Sequence, residues 1–104
     1  MRLLRQVHGL LFLLLASVTL GQRSIEARVI DAVSKEPLPY ASVVSMRTGE
    51  GVITNEEGNF RITTVNEDDT LVFSYLGYQR FRSTVAVIRQ QPEVRLTPLR
   101  TELS

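Results

Sequence analysis

The chain predicts an all-β fold, a sandwich of seven short strands in two sheets, on three observations. Short runs alternate apolar and polar residues with the two-residue period of a half-buried strand, as in Ile25, Ala27 and Val29 against Glu26 and Arg28. Clusters rich in Gly, Asn, Asp, Ser and Pro separate these runs every few residues. No stretch after the first 21 residues carries a convincing helical period. A small, partly open barrel is the main rival architecture.

Residues 1–21 stand apart. Arg2 and Arg5 form a basic start, and Leu10 to Leu15 with Ala16, Val18 and Leu20 form an apolar core too short for a comfortable membrane span. The segment is expected to be a secretory signal peptide cleaved after Gly21, leaving a single domain over 22–98 and a C-terminal tail or truncated linker over 99–104. No membrane span is expected after cleavage. The chain has no cysteine, so neither disulfides nor an N-terminal lipid anchor are available, and a bacterial periplasm or envelope is favoured over an extracellular disulfide scaffold. Cleavage reduces the twelve basic residues to ten and leaves all eleven acids, for a net charge of −1. The remaining arginines are spaced singly among acids, which argues against a nucleic-acid partner.

The first strand is expected over about residues 24–33, followed by a turn at Ser34–Pro37, with Leu38 covering the end of the core. A second, β-branched strand spans 40–46, and a reversal at Arg47–Gly51 leads to a short strand over 52–54. In the next turn Asn55 can bond its own backbone, while Gly58 and Asn59 suit left-handed conformations. Phe60 and Ile62 then share one face. After the polar reversal at 66–69, Leu71, Phe73 and Tyr75 alternate until Gly77 bends the chain. Phe81, Ser83, Val85 and Val87 predict a sixth strand, and Val94 and Leu96 a seventh, closed by Pro98.

The succession ARVIDAVSKEPLPYASVVSM, GEGVITNEEGNFRI, DTLVFSYLGYQRF and EVRLTP resembles the carboxypeptidase-regulatory-like domain. This is the transthyretin-like sandwich found at the N-terminus of many outer-membrane TonB-dependent receptors of Bacteroidetes. The resemblance runs from about Ile25 to Pro98. It is carried by Val29 and Asp31; by Pro37, Leu38, Ala41 and Val43; by Gly51, Thr54, Gly58, Asn59 and Phe60; by Leu71, Phe73, Ser74, Tyr75, Gly77 and Tyr78; and by Leu96 and Pro98. Two positions depart from it: an acid is usual where Asn55 stands, and glycine is common where Tyr40 stands. The resemblance implies a Greek-key, transthyretin-like topology and a receptor context. Thr101, Glu102 and Leu103 look like the start of the linker that precedes the receptor plug in relatives, so a stand-alone domain and a receptor fragment both remain open.

His8 is the only histidine and lies in the first segment, so residues 22–104 hold neither histidine nor cysteine. That removes the imidazole-dependent nucleophiles and histidine-ligated zinc, and no enzyme activity and no cofactor are expected. Asn55–Asn59 and Asn66–Asp69 offer oxygen ligands but lack the spacing of a calcium loop, and are expected to be exposed turns. Tyr40, Tyr75 and Tyr78 are the candidate partner-facing residues; Asn55, Gly58, Asn59 and Gly77 are the candidate turn residues. Tyr75 and Tyr78 are expected to lid one end of the core. Were they exposed together, Tyr78→Ala would weaken partner capture without lowering the melting temperature. The leading functional expectation is a non-enzymatic accessory or interaction domain of the envelope, exported to the periplasm or associated with the outer membrane, with an envelope or outer-membrane protein as partner. A glycan-binding module in nutrient uptake and a receptor fragment without independent function are the alternatives.

Overall fold

The computed structural model describes residues 23–63 and 66–99, so the signal-peptide expectation for residues 1–21 lies outside the described residues. Along the chain run β1 (Ser24–Asp31), β2 (Ser42–Ser45), β3 (Gly51–Ile53), β4 (Asn59–Thr63), β5 (Thr70–Ser74) and β6 (Phe81–Thr84), then a helix α1 (Val85–Gln90) and β7 (Glu93–Leu96). The strands form two sheets, β4-β1-β7 and β3-β2-β5-β6. They face each other as a sandwich. No helix among the described residues is long and apolar enough to cross a membrane.

β1 is the centre of the smaller sheet. It runs antiparallel to β4, with Ala27 opposite Phe60, and parallel to β7, with Val29 opposite Val94. Its alternation sends Ile25, Ala27 and Val29 into the core, where they meet Phe60 and Ile62 of β4 and Val94 and Leu96 of β7. The larger sheet supplies Val43, Leu71 and Phe73. Phe60 and Phe73 meet edge-to-face across the core with ring centroids 5.6 Å apart, a geometry that adds about 1 kcal/mol beyond the buried area.

The region after Phe81 differs from the sequence expectation. β6 stops at Thr84, and residues 85–90 turn into α1, where a continuous strand through Val87 was expected. Thr84 caps the helix by accepting from the Val87 amide at 3.3 Å, and the pair three apart, Val85 and Ile88, is buried. The turn at 67–69 fixes the helix start: the Val85 and Ala86 amides donate to the carbonyls of Asp69 and Glu67. Arg89 then pairs with Glu67 at 2.9 Å. Tertiary anchoring thus overrides the strand preference of a β-branched run. The second strand is also shorter than expected, since Tyr40 and Ala41 precede β2 and Met46 follows it.

Candidate functional site

One end of the sandwich is built around Thr54. Its hydroxyl donates to the Leu38 carbonyl at 2.6 Å and accepts from the Ala41 amide at 2.8 Å. Its backbone amide donates to the Ala41 carbonyl, and its carbonyl accepts from the Tyr40 amide. Residues 38–41 are therefore held from both sides, and within them Tyr40 adopts φ +64°. This left-handed conformation costs an L-residue with a side chain about 1–2 kcal/mol. The departure from glycine at Tyr40 thus places a strained aromatic residue, 60% exposed, at the rim of the domain.

The connection between β5 and β6 supplies the other two candidate tyrosines. The Tyr78 amide donates to the Tyr75 carbonyl at 3.0 Å, and Gly77 turns the chain at φ +91°. The rings of Tyr75 and Tyr78 lie 5.5 Å apart, half-buried against the core as the lid expectation required. The Tyr78 hydroxyl donates to Asp31 Oδ2 at 2.5 Å, while Asp31 Oδ1 accepts from the amides of Val33 and Ser34. Tyr78 is therefore a structural tie as well as a surface residue. Its replacement by alanine would disturb the fold, contrary to the exposed-patch expectation.

Electrostatics follow this geometry. The hydrogen bond from Tyr78, then those from the Ser34 and Val33 amides, hold the Asp31 carboxyl below its ordinary range. The same carboxylate, with burial, pushes the Tyr78 hydroxyl up to about 12. A depressed carboxyl stabilises the fold above its unfolded pKa of about 4, and that contribution is lost as the pH falls through the lower folded value. Glu67, depressed by Arg89, has the same sign. Acid unfolding of Tyr78→Phe, followed by tyrosine fluorescence, is expected to depend less steeply on pH below about 4 than that of the parent chain, because Asp31 then titrates closer to its unfolded value.

All three candidate tyrosines converge. Tyr40, Tyr75 and Tyr78 line one open groove of about 520 Å³ with Leu76, Arg80 and Leu99. Leu76, 97% exposed, stands at the tip of the turn. Leu99, 54% exposed, is held at the groove by its amide, which donates to the Gly77 carbonyl at 2.8 Å. Ser42, Ser74 and Gly77 complete the lining, and Arg80 is its one charged residue among the described residues.

The candidate turn residues gather elsewhere. Asn55 Oδ1 accepts from the Glu57 and Asn59 amides, closing the β3–β4 turn, and Gly58 adopts φ +80°. Asn59, a residue type that tolerates the left-handed region, does not use it here; it opens β4, paired with Arg28. The acidic turn at 66–69 is engaged in structure: Asp68 pairs with Arg47 and Glu67 with Arg89, while Asp69, expected to be exposed, is buried and bonded to Ser45. No group of three or more carboxylates, histidines or cysteines able to hold a metal occurs among the described residues. Residue-by-residue reading did not assign roles to Asp31, Thr54 and Asp69. Each is a buried polar side chain with partners distant in sequence, a pairing that local pattern does not signal.

The CarboxypepD_reg-like domain family matches residues 25–103, from the second residue of β1 through β7 and beyond. A TonB-dependent receptor of Formosa agariphila is 30% identical over 73 residues, covering 67% of this chain but 7% of that receptor. The chain thus spans a small fraction of that relative's length. With the match extending over both sheets, the chain belongs to the CarboxypepD_reg-like domain family, whose domains are non-catalytic accessory modules often linked to TonB-dependent receptor systems of the bacterial envelope.

Proposed function

We propose that this domain is a docking module of the outer-membrane uptake machinery, exported through a signal peptide at residues 1–21, and that its tyrosine groove contacts an outer-membrane protein on the periplasmic side. The observation that carries the reading is the convergence of Tyr40, Tyr75 and Tyr78 with the exposed Leu76 and Leu99. Rigid aromatic rings beside exposed aliphatic side chains supply contact area at low entropic cost. The backbone strain kept at Tyr40 adds support, because strain of this kind concentrates at recognition sites. The match to a TonB-dependent receptor supports the address. The strand orders of the two sheets are compatible with the Greek-key, transthyretin-like connectivity that the family resemblance implies.

Tyr40→Gly separates docking from stability. Glycine relieves the left-handed strain, so this variant is expected to be more stable by about 1 kcal/mol in urea unfolding. The same change removes a ring from the groove. With a photo-reactive phenylalanine in place of Leu76, cross-linking in the native envelope is expected to yield an adduct with an outer-membrane protein, and Tyr40→Gly is expected to reduce it. The same probe in place of Val33, which is exposed outside the groove, serves as the control. Equal adducts at both positions, or an adduct indifferent to Tyr40→Gly, would refute the docking assignment.

A further inference from the structure

We infer that the outer edge of β7 is a strand-addition site for an extended segment of a partner protein, on a surface separate from the tyrosine groove. β7 ends the three-stranded sheet, and the bonds at its two ends fix which backbone groups face β1. The Arg28 amide donates to the Pro92 carbonyl and the Ala32 amide to the Leu96 carbonyl. In a parallel ladder this parity turns the even-numbered residues toward β1 and the backbone groups of Glu93, Arg95 and Thr97 toward the free edge.

The chain itself covers part of that edge. The Gln79 amide donates to the Thr97 carbonyl at 2.9 Å, and the Leu99 amide to the Gly77 carbonyl, so residues 77–79 lie alongside 97–99 as a short antiparallel addition. At Arg80 and Phe81 the chain departs into the other sheet. The Glu93 amide is taken by the Gln91 carbonyl, leaving the Glu93 carbonyl and both backbone groups of Arg95 without a backbone partner among the described residues. An unpaired edge of this kind accepts an extended chain through main-chain hydrogen bonds.

Beside the edge lies a groove of about 320 Å³ whose apolar lining is Phe81, Val87, Ile88 and Val94. Phe81 and Val87 are 40% and 58% exposed. A strand placed along Arg95 would direct alternate side chains toward this groove, so the occupant is an extended segment with an aliphatic residue at every second position. The ion pair between Glu93 and Arg95, at 3.2 Å, lies on the outward face and leaves the backbone edge open.

Amide hydrogen exchange of the intact chain tests the site. The probe is a synthetic hexapeptide of alternating threonine and valine, compared with the same peptide N-methylated at every residue, which removes the edge-facing N–H groups whichever way the strand runs. At saturating unmodified peptide, exchange at Arg95 is expected to slow by about tenfold, with no slowing from the methylated peptide. Arg95→Ala should behave as the parent. Beyond the exposed side chain and ion pair that alanine also removes, Arg95→Pro removes only an edge-facing N–H, so it should keep the melting temperature and lose peptide binding. Val87→Asp, at an exposed position, provides a second variant: it should weaken binding by placing a charge in the groove. Retained binding by the methylated peptide or by folded Arg95→Pro would overturn the inference. So would the absence of binding at millimolar peptide, or Arg95 protection that rises with protein concentration alone, which would assign the edge to a second copy. None of these outcomes bears on the Leu76 cross-link, so the two surfaces stand or fall separately.

Discussion

Gly58→Ala is expected to destabilise the domain by about 3 kcal/mol, lowering the melting temperature by about 15 °C. Two effects add at this position. The backbone sits at φ +80°, and a Cβ there would lie 2.6 Å from the Val29 carbonyl oxygen and 3.1 Å from Pro37 Cβ. The carbonyl cannot retreat, because Val29 is in the central strand and this oxygen accepts the Leu38 amide. Gly77→Ala is the matched comparison. Gly77 has φ +91° but open space around it, so it should show only the conformational cost of about 1–2 kcal/mol. Thermal unfolding followed by circular dichroism distinguishes the two; equal losses would mean that the close approach of Gly58 to β1 is of no energetic consequence.

Asp69→Ala is expected to cost a similar amount, about 3 kcal/mol in urea unfolding. Asp69 is buried, yet its carboxylate accepts from the Ser45 hydroxyl at 2.5 Å and from the Arg47 amide at 3.1 Å. Its own carbonyl receives the first amide of α1. The residue therefore joins the end of β2, the turn before β5 and the start of the helix. Alanine would strand a hydroxyl and an amide without partners, whereas Asp69→Asn keeps an acceptor and should lose less. Asp68→Ala next to it removes only an exposed ion pair with Arg47 and should stay within about 0.5 kcal/mol.

These two positions also show how far local sequence can carry a fold. The sandwich was legible because β1, β4, β5 and β7 each bury one face, and a single buried face writes a period of two into the chain. Gly58 was legible as a turn residue, since the turn chemistry around Asn55 is local. The clash that makes Gly58 indispensable was not, because it involves Val29, far away along the chain. In α1 the alternation of Val85 and Val87 imitates a strand, while the deciding features, the Thr84 cap and the amide bonds to the 67–69 turn, depend on packing. The candidate site divides in the same way. Its tyrosines stand out by residue type, but the tie from Tyr78 to Asp31 spans 47 positions, and the left-handed conformation of Tyr40 is imposed by Thr54.

The parallel pairing of β1 with β7 has a mechanical meaning. Two neighbouring strands that run the same way start at one end of the sheet and finish at the other. Tension applied at the start of β1 and the end of β7 therefore loads their hydrogen bonds together, in shear. β4 differs, because Ser24 lies opposite Thr63 and a pull on those two residues would open the pair one bond after another. Single-molecule stretching between anchors at Ser24 and Leu96 is expected to require a higher unfolding force than stretching between Ser24 and Thr63. A domain wired in this way would carry a load along its length with its layers intact.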